Sequence, residues 1–179
     1  MRELLLLRHA KSAWGDPGLA DFDRPLANRG KKAAPMVGRL LAERGWVPDL
    51  ATVSPAKRTR QTWEYVAGEL AAIPPVRFAE ELYEATAETI LSVVRRAPAK
   101  TGRLLVVAHN PGLEDLAALL AGPGNDPDAL ARMREKFPTG ALARFAFEGD
   151  WPELSAGGAI LAGFLTPKEL AGRVGGPSS

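Results

Sequence analysis

Leu4-Leu5-Leu6-Leu7-Arg8-His9 is the stretch that decides how this chain folds. Four leucines in a row, flanked by charge, are too short for a membrane span and lack the spacing of an amphipathic helix. They read as a strand buried on both faces, and such strands belong to parallel sheets covered by helices. A guanidinium and an imidazole follow at once, at the strand's carboxyl end. Open parallel sheets bind their ligands there.

Further along, Leu104-Leu105-Val106-Val107-Ala108-His109 repeats the arrangement. The chain has two histidines, and each stands just past such an apolar run, His109 immediately and His9 one residue later. Leu50 to Val53 predicts a third buried strand. Ser54-Pro55 then reads as an N-cap with proline at the first helical position, opening a helix to about Leu70. Asn110-Pro111 carries the same signature before a helix over Gly112 to Leu120. Apolar spacing predicts a helix over Arg29 to Arg44 closed by Gly45, another over Ala87 to Ala97, and a short one over Ala129 to Lys136. Val76 to Phe78 reads as extended, and Ala141 to Phe147 and Gly158 to Phe164 as late strands. Asp16 to Asn28 and Gly122 to Asp128 are rich in turn formers and read as loops. Strands alternating with helices predict one α/β domain with a mostly parallel sheet between helical layers. We assign it to residues 1–171 and expect a flexible tail over 172–179, which is rich in Gly and Ser.

Composition narrows the function. The chain has 179 residues, about one domain. Lys and Arg total 23 against 21 Asp and Glu, a net charge of +2, which argues against nucleic acid as the main partner. There is no cysteine, so disulfides, thiolate metal sites and a cysteine nucleophile are excluded. The N-terminal apolar run is too short for a signal peptide, and no stretch approaches membrane length, so the expectation is a cytoplasmic protein without a membrane partner. No phosphate-loop, dinucleotide or zinc pattern and no Gly-x-Ser-x-Gly elbow occurs. Nothing calls for a metal or another cofactor.

The remaining chemistry is anionic. Arg8 at the end of a buried strand is costly unless an anion or a carboxylate meets it, and its planar fork matches phosphate oxygens. Lys57, Arg58 and Arg60 fall in the first turns of a helix, where the dipole disfavours cations unless an anion arrives. Arg58 is the chosen site residue; a solvated basic face accounts for at least one of Lys57 and Arg60.

In these residues the chain resembles the histidine phosphatase superfamily, which includes the phosphoglycerate mutases. The resemblance rests on Leu7-Arg8-His9-Ala10-Lys11-Ser12, then Ser54, Pro55, Arg58, Gln61 and Thr62, then His109-Asn110-Pro111-Gly112, in the family's order. Arg8-His9-Ala10-Lys11-Ser12, the Asp23-Arg24-Pro25-Leu26 segment leading to Arg29-Gly30, and the short length look most like the SixA-type phosphohistidine phosphatases. Ala10 stands where many relatives carry glycine, and Gly15 where mutase-like relatives carry an asparagine that contacts phosphate. The resemblance implies a three-layer αβα, phosphoglycerate mutase-like fold. It further implies that His9 accepts the phosphoryl group, that Arg8, Arg58 and His109 hold its oxygens, and that no metal is needed. His9 must then be unprotonated and His109 cationic, so their pKa values are expected to be pushed apart. Of Glu80, Glu81 and Glu84, none is singled out as the family's carboxylic proton donor. The implied substrate is protein phosphohistidine. A small phosphorylated metabolite, hydrolysed or isomerised, is the alternative, and a non-catalytic phosphate-binding domain is the second. Oligomeric state is not legible.

Overall fold

The computed structural model describes residues 1–175, with side chains described through residue 172. Six strands form one sheet: β1 (Arg2–Arg8), β2 (Leu50–Val53), β3 (Val76–Phe78), β4 (Arg103–Ala108), β5 (Leu142–Phe147) and β6 (Ile160–Leu165). The order is β3-β2-β4-β1-β5-β6. β1, β2, β3 and β4 pair in parallel, whereas β5 and β6 join antiparallel at one side. The helices are α1 (Asn28–Arg44), α2 (Lys57–Ala67), α3 (Ala87–Arg95), α4 (Gly112–Leu120), α5 (Pro127–Glu135) and α6 (Pro167–Gly175).

The leucine run is explained by its two faces. Leu4 and Leu6, with Leu104 and Val106, pack against Ile90 and Val94 of α3, Leu113 and Leu116 of α4 and Met133 of α5. Leu5 and Leu7, with Leu105 and Val107, pack against Leu41 of α1, Val66 of α2 and Leu170 of α6. Alternate residues of one strand thus serve opposite helical layers, and a run with no polar position is what three layers demand. Cutting any of these leucines back to alanine should cost about 2–5 kcal/mol.

The expected elements form, with shifted ends. Gly45 closes α1 in the left-handed conformation at φ 69°, where its N–H caps the helix. The helix after Ser54-Pro55 is shorter than expected: it begins at Lys57, ends at Ala67, and has no side-chain cap. Ser54 is not a helix cap, because its hydroxyl is used elsewhere, as described below. α6 continues through Gly175, so residues 172–175 of the expected tail are helical; residues 176–179 lie outside the described residues.

Two glycines let backbones close around the carboxyl ends of β1 and β4. A Cβ on Gly30 would stand 2.2 Å from the Lys11 carbonyl, and one on Gly112 would stand 2.1 Å from the Ala85 carbonyl. Neither gap admits a side chain, so α1 abuts the segment after His9 and α4 abuts the segment after Tyr83.

Candidate active site

β1 and β4 run side by side in register, Arg8 opposite Ala108, so the residues that follow them meet. The rings of His9 and His109 lie 5.4 Å apart, centroid to centroid. Both imidazoles are buried, 6% and 8% exposed, as is Arg58 at 6%.

His9 is fixed from behind. Its Nδ1 lies 2.8 Å from the Ala10 carbonyl, which can only accept, so Nδ1 carries the proton and Nε2 keeps its lone pair. The turn holding that carbonyl is itself pinned: Ala10 N donates to Thr62 Oγ1 at 3.0 Å, and Thr62 Oγ1 donates to the Arg58 carbonyl at 2.7 Å. Burial lowers the His9 pKa to about 3; the Ala10 hydrogen bond opposes this, and repulsion from His109, Arg58 and Arg8 adds to it. The ring is neutral at ordinary pH.

His109 is held by the other nitrogen. Its Nε2 lies 2.7 Å from Ser54 Oγ, and its Nδ1 is buried without a partner. With the serine hydroxyl donating, Nδ1 bears the proton and is a free donor. Burial lowers the His109 pKa to about 4, helped by Arg58, Arg8 and Arg24 and opposed by Asp21. The expected split between the two histidines is therefore absent: the same burial and the same arginines act on both. Only a dianion between them would raise His109 towards its cationic form.

Arg8 Nη1 donates to the Phe137 carbonyl at 3.1 Å, an acceptor shared with Asn110 Nδ2 at 2.9 Å. Arg58 Nη1 donates to the Asp21 carbonyl at 2.8 Å, and its Nη2 pairs with the Asp21 carboxylate at 3.1 Å. Nε of Arg8 and Nε of Arg58 are both buried and unpartnered. Lys57 and Arg60 are exposed, and Arg60 turns back to the Pro55 carbonyl, so the solvated reading holds for both.

All four chosen residues, Arg8, His9, Arg58 and His109, thus come together. Asp21, Tyr83, Arg24 and the Ser54 hydroxyl also belong to the site, and sequence reasoning missed these roles. Tyr83 OH donates to Asp21 Oδ2 at 2.6 Å, and its ring meets His109 edge-on at 5.7 Å. Asp21 and Tyr83 carry no local signal, whereas Arg24 and Ser54 stand in segments that carry the family resemblance, where no role was assigned to them.

Beside His109 opens a cleft of about 640 Å³, whose walls include Glu84, Thr86, Glu88, Asp115 and Leu119. This distinguishes the three glutamates. Glu84 faces the cleft at a left-handed φ of 56°, whereas Glu81 pairs with Arg96. Glu80 is exposed and does not line the cleft. Among the described residues, no three His, Cys, Asp or Glu side chains converge as a metal site would require, and no helix is long and apolar enough to cross a membrane.

Comparison with known proteins agrees with this geometry. The profile of the histidine phosphatase superfamily (branch 1) matches residues 4–90. An uncharacterized protein of Mycobacterium tuberculosis is 39% identical over 163 residues, 90% of this chain and all of the relative. Among solved structures, the protein assigned as phosphohistidine phosphatase SixA in Agrobacterium tumefaciens superposes with a TM-score of 0.78 at 33% identity, covering 93% of this chain and 98% of its own. Its counterpart from Nakamurella multipartitia gives 0.79 at 33% identity, covering 93% and 96%. The mostly parallel sheet, the three-layer packing and these likenesses have one meaning: the chain belongs to the histidine phosphatase superfamily and is a SixA-like enzyme of that type.

Proposed function

We propose that this enzyme hydrolyses phosphohistidine on a protein, through a phosphohistidine intermediate formed on its own His9. One observation carries the reading. Arg8 Nε, Arg58 Nε and His109 Nδ1 are buried without hydrogen-bond partners, and all belong to side chains gathered around the His9 ring. A buried unsatisfied donor costs about 1–3 kcal/mol. Three of them around one unprotonated nitrogen suit a phosphoryl group, whose three equatorial oxygens need donors when the phosphorus is attacked in line.

The chemistry then follows from the wiring. His9 Nε2 forms a bond to phosphorus while the phosphorus–nitrogen bond of the substrate breaks, and the departing imidazole takes its proton from solvent water. A water oxygen next bonds to phosphorus, the Nε2–phosphorus bond breaks with its electron pair returning to His9, the water's proton passes to solvent and phosphate leaves. Arg8, Arg58 and His109 neutralise the spread charge throughout. The substrate beyond the phosphoryl group occupies the cleft beside His109. Phosphohistidine is favoured over an alkyl ester because its imidazole leaves readily once protonated. An alkoxide needs a positioned acid, and Glu84, the one of the three glutamates on the cleft, is exposed and has no hydrogen-bond partner among the described residues.

The test is a side-by-side assay on a phosphohistidine peptide and on sugar and other phosphate monoesters. Preferential turnover of the peptide is expected. Faster turnover of the monoesters would move the enzyme to small metabolites, and oxyanion binding with no turnover of either would make it a phosphate-binding domain.

A further inference from the structure

Arg58 does not stand alone. Asp21 takes both of its outer nitrogens, one through its backbone carbonyl and one through its carboxylate. That carboxylate takes two further donors. Oδ2 also accepts from Tyr83 OH at 2.6 Å, and Oδ1 accepts from Arg24 Nε at 3.0 Å. Arg24 is braced in turn: its Nη1 reaches Ser12 Oγ at 2.9 Å and the Ala13 carbonyl at 3.2 Å, and its guanidinium lies 3.5 Å over the Trp14 ring. The ladder thus runs from an exposed tryptophan through Arg24 and Asp21 to the buried arginine of the site.

A carboxylate beside a phosphate-binding arginine can act in two ways, and they differ in sign. As a plug, Asp21 competes with the phosphoryl group, and its removal tightens oxyanion binding. As a clamp, it orients Arg58, and its removal loosens binding even though a negative charge has gone. Two features favour the clamp. One of the two contacts is a main-chain carbonyl, which no side-chain rotation withdraws. The carboxylate, moreover, is tied by two further residues. Two of the five guanidinium N–H groups are held in this way, and of the three left over Nε–H is buried and unpartnered.

We propose that Asp21, braced by Tyr83 and Arg24, is a positioning residue that acts through Arg58, fixing the guanidinium so that its remaining N–H groups meet the phosphoryl oxygens. The proposal rests on the reading of Arg58 as a phosphate-binding group.

Vanadate affinity and steady-state turnover of a phosphohistidine peptide, measured on wild type, D21A, D21N, Y83F, R58A and the D21A/R58A double variant, test it. D21A should lose about 10²-fold in kcat/KM, the scale of a misplacement of about 1 Å, and bind vanadate more weakly. D21N, which keeps an acceptor oxygen, should recover part of the loss, and Y83F should lose less in the same direction. In the R58A background D21A should add nothing, because its effect passes through Arg58. Tighter vanadate binding by D21A would establish the plug and overturn the clamp. An equal loss in both backgrounds would reduce Asp21 to a structural role and overturn it too. Should D21A fail to fold, Y83F carries the test: wild-type rate and affinity there overturn the proposal. A wild type that neither binds vanadate nor turns over any phosphate would overturn the phosphate site itself, whereas an active wild type with an unchanged D21A overturns only the role of Asp21.

Discussion

β1 and β4 are neighbours, both apolar throughout their central positions, and each is followed by a histidine, yet the two imidazoles are wired in opposite senses. His9 gives Nδ1 to a backbone carbonyl and keeps Nε2. His109 gives Nε2 to a serine hydroxyl and keeps Nδ1. A carbonyl can only accept, so it forces a lone pair onto the far side of the His9 ring. A hydroxyl can donate, so it allows an N–H on the free side of His109. Two residues of one type, set just past the ends of adjacent strands, thus offer a nucleophile and a hydrogen-bond donor to the same space. The partner of the other nitrogen sets the role.

The comparison breaks most completely at His9. His9→Ala removes the only atom offered to accept the phosphoryl group, so turnover should fall to background while vanadate binding largely remains. His109→Ala should behave differently: turnover slows by about 10²–10³-fold, as when one oxyanion donor is lost, yet a phosphoenzyme still forms. Quenching with radiolabelled substrate at mildly alkaline pH should trap label on wild type and on the His109 variant, but not on the His9 variant. The label should be acid-labile and base-stable, as a phosphoramidate is. Activity in His9→Ala, or label that survives acid, would rule out the intermediate.

Arg58→Ala tests the ground on which both histidines stand. It removes one of the unpartnered donors and a charge that depresses both pKa values. Turnover should drop by about 10²–10³-fold, with vanadate affinity falling alongside. Unchanged affinity would show that Asp21, not an oxyanion, is the only partner of this guanidinium.

Much of this was legible in the sequence because it is encoded locally. An uninterrupted apolar run means a central strand, and the residue after it lies at the ligand-binding edge, so Arg8, His9 and His109 follow from pattern alone. Arg58 emerged from a local conflict, a cation in the first turn of a helix. What remained illegible depends on tertiary meetings. Asp21 lies 37 residues from Arg58 and 62 from Tyr83, and nothing in a polar loop says which far element it will meet. Ser54 shows how a correct local rule can mislead. Ser-Pro before a helix is an ordinary cap signature, but here the helix starts at Lys57 and the hydroxyl, 55 residues from its partner, turns to His109.

A smaller effect sharpens the difference between the histidines at that serine. Ser54→Ala removes the donor to His109 Nε2 and frees the ring to shift its proton there. The loss should be about tenfold or less in turnover, the range of one net hydrogen bond. His9 should keep its Nδ1–H tautomer, so nitrogen NMR should show a change at His109 alone. A matching change at His9 would mean that the two rings are coupled rather than wired separately.

Between pH 5 and 8 the free enzyme should change little, because neither imidazole titrates there. Histidine NMR should give midpoints of about 3 for His9 and about 4 for His109, with nothing near 6.5. The unfolded histidines bind protons below about pH 6.5 and the folded ones do not until the pH is far lower. Their contribution is fully present above 6.5 and is lost progressively as pH falls towards the folded values. A denaturation series showing stability rising as pH drops from 6.5 to 4 would contradict that burial.

Chelation should change nothing, and the two histidines explain why. A divalent ion would neutralise the phosphoryl oxygens from outside the protein's own charge; here Arg8 and Arg58 already supply that charge. The carboxylate paired with Arg58, that of Asp21, already accepts from Arg58, Arg24 and Tyr83, so a cation would have to compete with those donors to use it. His109 Nδ1, if it carries the proton, offers no lone pair to an ion, and His9 Nε2 faces two arginines that repel one. Turnover should therefore survive exhaustive treatment with EDTA. Loss of activity under chelation, restored by one divalent ion, would mean that the lone pair of His9 serves a metal rather than phosphorus.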